Sequence, residues 1–253
     1  MPTTLAPSRR TAVRRTSYRV RLATTQQDLH AAQRLRFEVF NVELGEGLAA
    51  SHALGRDEDA YDAYCDHLLV EREDTGEIVG TYRLQTGQLA AAHLGYYSEQ
   101  EFHFAPYEPL RCELVELGRA CVHGDHRNFG VLGLLWRGIA QYACDRRARY
   151  LIGCSSLNSQ DAAVGAATFG YFQRGGFLAG PHLLTQPTDA FACPLDRLAE
   201  ECAPAPKLLR TYLSIGARIC GPPAIDREFG SIDFLTMLDL QSLTESARTH
   251  FGI

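Results

Sequence analysis

Three aspartates, Asp57, Asp59 and Asp62, share the hexapeptide DEDAYD, and Arg83 (GTYRL), Glu116 and Arg119 (ELGR) sit in strand-like segments further on. Arg36 precedes them in a helical pattern beside Phe37 and Phe40. A planar guanidinium matches the fork of a carboxylate through two parallel hydrogen bonds. A carboxylate can take the proton of an ammonium, and a free α-amine near neutral pH must lose one before it can attack a carbonyl. The set therefore suits holding an amino-acid zwitterion and acylating its amine, with Glu116 as the first choice of base and the aspartates in reserve. The same residues also suit one another: each arginine can form a structural ion pair with Asp57, Asp59, Asp62 or Glu116, and both roles can hold together. Acidic residues in a glycine-containing loop are also often simply solvated.

Other reactive residue types fit less well. Cys121, His123 and His126 form Cys-x-His-x-x-His, which matches no common fourfold zinc set. Cys65 and His67 lie two apart on a strand, hence on one face, and read as a packed thiol beside a hydrogen-bonded histidine. Ser155 and Ser156 follow the apolar run LIGC without the Gly-x-Ser-x-Gly of a nucleophile elbow, so they read as tunnel lining or a helix cap. Tyr96, Tyr97, Phe102 and Phe104 either floor an apolar pocket or belong to plain core. The single lysine, Lys207, excludes a Gly-Lys-Ser/Thr phosphate loop.

The elements that must position these residues follow from periodicity. Thr16 to Ala23 alternates as a strand, and Thr24 or Thr25 can cap a helix whose apolar face holds Leu29, Ala32, Leu35 and Val39. Asn41 to Asp66 reads as loop or short helix. His67 to Arg72 and Glu77 to Leu84 form a hairpin about Asp74-Thr75-Gly76. A strand over Cys112 to Val122, a helix over Asn128 to Arg147, a strand over Tyr150 to Ser155, and a helix from Asp161 to Arg174 stopped by Gly175-Gly176 come next. Past Pro181 come a proline-rich connection, a helix from about Pro206, the turn CGPPAID, a strand from Ser231 to Leu240 and a terminal helix.

The chain has 253 residues, 45% hydrophobic and 22% charged, which is ordinary composition for one substantial core. A single domain over 16–253 behind a basic, flexible leader at 1–15 is expected. Net charge is −5, with no nucleic-acid-binding motif, so nucleic acid is not an expected partner. Charge is uneven: the first 21 residues hold six arginines (Arg9, Arg10, Arg14, Arg15, Arg19, Arg21) and no acid, while 38–77 hold twelve acids. Such a leader can touch an anionic membrane or an acidic carrier, or be a leader without a specific role. Eight cysteines without a Cys-x-x-Cys pair, no secretory signal and no apolar run of spanning length suggest a reduced, cytoplasmic protein, peripheral at most to the inner membrane.

The order of elements, a strand and helix, a hairpin, a long central strand and a glycine-opened helix, resembles the α/β GNAT acyltransferase fold. That is a mixed, mostly antiparallel sheet flanked by helices and splayed to admit an acyl-pantetheine thioester. Arg36, Phe40, the Asp57, Asp59, Asp62 set, Arg83, Glu116 and Arg119 resemble the signature of acyl-homoserine-lactone synthases. The stretch from Arg36 to Phe251, including CDHLLV, GYYSEQEF, ELGRACV, LIGCSS and LLRTYLSIGARICGPPAIDREFGSIDF, resembles still more the N-acyltransferases that make lyso-ornithine lipid and related N-acyl amino acids.

This resemblance implies transfer of a long, often 3-hydroxylated, acyl chain from acyl carrier protein to the α-amine of an amino acid, most often ornithine, with no cofactor. It implies Glu116 and Arg119 as catalytic residues, with Arg36, Phe40, Asp57, Asp59, Asp62 and Arg83 shaping the amine site. Val122, Arg127, Gly130, Ser155 and Ser156 would face acyl or pantetheine, and backbone N–H groups around Ala120 to Val122 would meet the oxyanion. CoA-using members of the fold carry Arg/Gln-x-x-Gly-x-Gly/Ala at the helix start, where backbone N–H groups hold the pyrophosphate. Here Arg127 and Gly130 are kept but Leu132 replaces the small residue, which favours carrier protein over acyl-CoA as donor, docked through Arg127, Arg137, Arg146, Arg147 and Arg149. The rival readings are a lactone synthase using S-adenosylmethionine, disfavoured by the added Pro206 to Phe251 block, and a non-catalytic scaffold that binds carrier protein or lipid.

Overall fold

The structure, a computed structural model, describes residues 16–196 and 205–251, so the basic leader at 1–15 lies outside the described residues. Strand β1 (Tyr18–Leu22) ends at a capping box. The Thr25 side chain accepts the Asp28 N–H and the Asp28 carboxylate accepts the Thr25 N–H, which starts α1 (Gln26–Phe37). One π-helical stretch (Glu38–Leu44) and the short α2 (Ser51–Leu54) follow. The hairpin is β2 (Asp66–Arg72) and β3 (Ile78–Thr86), turned at Gly76 with φ 73°. Next come α3 (Gly87–Ala92), 3₁₀ turns over Tyr97–Gln100 and Ala105–Glu113, and β4 (Leu114–Val122).

Asn128 caps α4 (Phe129–Asp145), which leads to β5 (Tyr150–Leu157), and Asp161 caps α5 (Ala162–Arg174). The left-handed residue that ends α5 is Gly176, with φ 67°. The last part holds α6 (Lys207–Ser214), β6 (Arg218–Ile219), β7 (Ala224–Asp226), β8 (Ser231–Asp239) and α7 (Glu245–Phe251). Strand order is β1-β2-β3-β4-β5-β8-β6, with β7 also on β8, and among these pairs β4–β5 alone is parallel. The core on one sheet face comes from the apolar stripe of α4, where Val131, Leu135, Ile139 and Ala143 are buried against Leu68, Val70, Leu84 and Val115. Tyr96, Phe102, Phe104 and Tyr107 pack with Ile152, Leu235 and Met237 on the other side. Among the described residues no helix is long and apolar enough to cross a membrane.

Two local features decide where chemistry can occur. β4 and β5 pair from Leu114↔Tyr150 only to Glu116↔Ile152, whereas β5 continues along β8 to Leu157↔Ile232 and β4 continues along β3 to Val122↔Gly80. Beyond Glu116 the two strands therefore diverge. Gly153 stands at the vertex, where an added Cβ would lie 2.1 Å from the Leu117 carbonyl oxygen. The second feature is a bulge: the β3–β4 register shifts between Thr81 and Arg83, and Arg119 takes a left-handed φ of 49°. Regular alternation would put Gly118 and Arg119 on opposite faces. The bulge instead turns Arg119 to the face that Glu116 and Gly118 line. A left-handed non-glycine residue costs roughly 1–2 kcal/mol, which the contacts of Arg119 must offset.

Gly153→Ala should force β4 and β5 apart at the vertex. We expect a loss of about 1–3 kcal/mol in stability, read as a fall of several degrees in thermal unfolding midpoint. An unchanged midpoint would mean that the vertex is not tightly packed.

Candidate active site

Arg36 is fully buried, and α1 aims it at the 57–64 segment. Its Nε donates to Asp57 Oδ2 at 2.7 Å, Nη1 to Asp62 Oδ1 at 2.8 Å, and Nη2 to the Asp57 carbonyl at 2.6 Å. Arg83 from β3 donates to Asp59 at 2.6 Å and to Asp62 at 3.0 Å, and Arg119 reaches Asp59 at 3.0 Å and Asp57 at 3.5 Å. Asp59 holds this geometry by capping the turn that follows it, accepting the Tyr61 N–H. Three guanidiniums and three carboxylates thus alternate in a buried network of zero formal charge. Burial alone would raise Asp62, but Arg36 and Arg83 overcome it and hold the carboxyl well below the usual carboxylate range. Asp59 is lowered in the same way, against burial, by Arg83 and Arg119. The structural pairing anticipated for these residues is present. Phe40 supports the network from the side, stacked edge-on to Phe229, over which the Arg119 guanidinium lies at 4.5 Å.

Beside the network is a cavity of about 60 Å³ whose wall includes Arg83, Gln85, Tyr97, Glu116, Arg119 and Ser156. Arg83 and Arg119 stack over the Tyr97 ring at 5.0 and 4.9 Å. Glu116 accepts the Tyr97 N–H at 2.8 Å, the Ser98 N–H at 2.8 Å and the Ser98 hydroxyl at 2.6 Å. Burial pushes its pKa up and these three hydrogen bonds partly offset the push. Glu116 is thus a fixed carboxylate that binds a proton more readily than an ordinary glutamate. Glu101, Asp226 and Asp233 complete the wall. Asp233 accepts from the Ser156 and Ser231 hydroxyls.

A second cleft opens where β4 and β5 part. It is lined by Leu117, Leu151, Gly153, Ser155 and Leu238 from the sheet, Tyr82, Trp136 from α4 and Tyr212 from α6. The Tyr82 and Tyr212 hydroxyls meet at 2.7 Å. Cys154 borders both spaces. The cleft is largely apolar and the cavity is polar, and the two meet at the vertex of the splay. Ser155 and Ser156, grouped together from sequence, separate here: Ser155 lines the cleft and Ser156 the cavity.

Val122 ends β4 and is partly buried in the core that α4 covers, and its carbonyl accepts from Arg127 Nε at 3.1 Å. Arg127 also pairs with Glu43 at 2.6 Å, so its guanidinium is engaged by protein. The Asn128 side chain accepts the Gly130 and Val131 N–H groups at 2.9 and 3.1 Å, which occupies helix-start donors that a pyrophosphate would need. Arg146 and Arg149 pair with Asp66 and Asp239, and Arg19 and Arg21 with Glu71, so the basic stretches read from sequence are partly neutralised. Burial pushes the Cys65 thiol up to about 12, unlike an activated nucleophile, and His67 Nε2 contacts the Asp62 carbonyl at 3.1 Å. His126 is hydrogen-bonded to Tyr18 at 2.9 Å and Cys121 is buried near Phe40. Of the aromatic set, Tyr96, Phe102 and Phe104 are core, and Tyr97 lines the cavity.

Gln85, Glu101, Asp226 and Asp233 were not singled out from sequence. Asp226 and Asp233 lie in AIDREFG and SIDF and Glu101 in GYYSEQEF, so their blocks were recognisable although their convergence across more than a hundred residues was not.

A family model described as an acetyltransferase (GNAT) domain matches residues 35–137. The L-ornithine N(alpha)-acyltransferase of Rhodobacter capsulatus is 30% identical over 93% of this chain and 95% of its own. That of Brucella abortus is 32% identical over 93% of this chain and 89% of its own. Among solved structures, FeeM, an N-acyl amino acid synthase from uncultured soil microbes, superposes with a TM-score of 0.53 at 13% identity over 93% of this chain and 99% of its own. The AHL synthase LasI gives 0.52 at 12% identity over 93% and 95%, so chain length does not separate the lactone synthases from this protein as expected from sequence. At these identities the two structures establish the GNAT acyltransferase fold.

Asp62→Asn should cost about 3–5 kcal/mol at neutral pH, because it leaves Arg36 and Arg83 buried without their shared counter-charge. Asp62 has a depressed pKa in the folded state, so its contribution is complete above the unfolded carboxylate value and is lost as pH falls below about 4. Denaturant unfolding should therefore show the gap between wild type and variant narrowing in acid. A gap that is constant or widens would contradict the network.

Proposed function

We propose, for a chain that belongs to the L-ornithine N(alpha)-acyltransferase family, that it transfers a long 3-hydroxyacyl group from acyl carrier protein to the α-amine of L-ornithine. The product is N-acyl-ornithine, the lyso form of an ornithine lipid. The observation that carries this reading beyond kinship is the carboxylate-walled cavity that meets an apolar cleft where β4 and β5 diverge.

In this reading the amino acid occupies the cavity and the acyl-pantetheine thioester enters the cleft. Glu116 accepts the proton of the α-ammonium, directly or through water, and its raised pKa suits that step. The amine nitrogen attacks the thioester carbon, a C–N bond forms, the C–S bond breaks, and the pantetheine thiolate leaves, taking up the proton that the nitrogen sheds as it becomes an amide. A thioester is already activated, so holding the amine about 3–3.5 Å from its carbon supplies much of the rate. Backbone N–H groups of β4 beyond Glu116, where pairing with β5 has stopped, stabilise the oxyanion. Arg83 and Arg119 present positive charge to the substrate carboxylate while remaining paired to Asp59. Carrier protein is preferred to CoA because Asn128 and Arg127 are already satisfied at the helix start and Leu132 stands where a small residue would let a pyrophosphate approach.

Mass spectrometry of products from purified protein, 3-hydroxyacyl carrier protein or the matching acyl-CoA, and separate pools of ornithine, other amino acids and S-adenosylmethionine tests the reading. N-acyl-ornithine from the carrier donor is expected, with Glu116→Gln lowering kcat by about 10²–10⁴-fold. A lactone from S-adenosylmethionine, or no product from any amine, would contradict it.

A further inference from the structure

Four carboxylates, Glu101, Glu116, Asp226 and Asp233, wall the cavity, and among the described residues none of them has a salt-bridge partner within 4 Å. The two arginines of the same wall belong to the neutral network and are already matched by Asp57, Asp59 and Asp62. Glu116 is spoken for by the Tyr97–Ser98 turn. The other three converge: one carboxylate oxygen from each of Glu101, Asp226 and Asp233 lies within 4.8 Å of the others. All three residues are buried.

Gln85 adds an independent observation. It is 2% exposed, it lines the same cavity, and neither its side-chain oxygen nor its side-chain nitrogen has a hydrogen-bond partner. Buried amides are almost always satisfied, so an amide with both ends open beside a cavity marks a place where a polar ligand completes the bonding. Gln85 lies opposite Glu116 in the β3–β4 ladder, two residues along β3 from Arg83. Its amide therefore shares one cavity with Glu116 and with the acidic trio.

We propose that Glu101, Asp226 and Asp233 form the subsite for the side-chain ammonium of a short diamino acid, with Gln85 as a flanking polar contact, and that this subsite selects cationic over neutral acceptors. The assignment rests on the acceptor reading above and adds the residues that make the choice. Three oxygens all within 4.8 Å of one another can be reached from a single point at no more than about 2.8 Å, within the span of a charge-assisted N–H···O bond. An –NH₃⁺ group has three donors for three carboxylates and no acceptor to offend them. Two of the three carboxylates are fixed by neighbouring protein donors. Asp226 accepts the Glu228 and Phe229 N–H groups, which anchors the 226–230 turn, and Asp233 is held by Ser156 and Ser231. Burial and the neighbouring Asp233 and Asp226 raise Glu101 well above its ordinary value, as expected of acids gathered without a cation among them. Norvaline, which has the carbon skeleton of ornithine without the terminal amine, would leave the trio unpaired. The site would then reject it by loss of a charge-assisted contact rather than by size.

The test compares L-ornithine with L-norvaline for the wild type and for Glu101→Gln, Asp226→Asn and Asp233→Asn, all close in shape to the native residues. Calorimetric binding to the donor-free protein is read beside kcat and KM with the acyl donor. Wild type should prefer ornithine by roughly tenfold or more in both, and each variant should raise KM for ornithine with a smaller change in kcat, so that the preference falls toward unity. Ornithine acylation with a preference that all three variants retain, or equal loss toward both amino acids, would overturn the subsite and leave the proposed reaction standing. Failure of the wild type to acylate ornithine in the product assay would instead remove the reaction, and with it the acceptor that the subsite requires. Manganese or magnesium titrated alone, bound by wild type and lost in Glu101→Gln, would overturn the ammonium assignment in favour of a metal.

Discussion

The parting of β4 from β5 after Glu116 is the constraint from which the site follows. Two adjacent strands that stop pairing inside a sheet leave backbone groups facing a gap, and the gap persists only if both strands are held from their outer sides. Here β3 holds β4 to Val122 and β8 holds β5 to Leu157. Gly153 lets the vertex close tightly against the Leu117 carbonyl, so the divergence begins at a defined residue. The gap then connects the polar cavity with the apolar cleft. A reaction that joins a charged amine to a greasy thioester needs two such compartments in contact.

The charges divide along the same line. Arg36, Arg83 and Arg119 with Asp57, Asp59 and Asp62 form a neutral, buried lattice that ties α1, the 57–64 segment, β3 and β4 together. Breaking such a lattice is costly because it leaves an uncompensated buried charge, which makes it a scaffold for the backbone around Arg119 as well as a source of field in the cavity. The left-handed conformation of Arg119 is tolerated in that setting, with its guanidinium held by aspartates and by the Tyr97 and Phe229 rings. The carboxylates on the far wall lie outside this balance. One side of the cavity is thus electrically settled and the other carries an excess of acid.

Much of the frame was legible in the sequence because its signals are local. Thr25 followed by Asp28, Asn128 ahead of a helical stripe, Asp161 before α5 and Gly76 in the hairpin turn each mark an element end within a few residues. The Asp57, Asp59, Asp62 set and its arginine partners were also readable, since the type and number of charges imply pairing whichever role they serve. Features that depend on long-range geometry were not. The bulge at Arg119 arises from a register shift with β3, and the trio of Glu101, Asp226 and Asp233 from the segment after α3 meeting the paired strands β7 and β8 more than a hundred residues on. Arg127, read as facing pantetheine or the carrier protein, also pairs with Glu43, a partner far away in sequence that no local motif announces.

The central claim is that acceptor and donor reach the splay from opposite faces of the sheet and meet at its vertex. A crystal structure with L-ornithine and a non-hydrolysable thioether analogue of 3-hydroxyacyl pantetheine bound together tests it most directly. The account predicts the α-nitrogen beside Glu116 and the analogue's reacting carbon in the gap between Leu117 and Gly153, with its chain running past Trp136 and Tyr212. Both ligands on one face, or a donor chain lying among the carboxylates of the cavity, would contradict it.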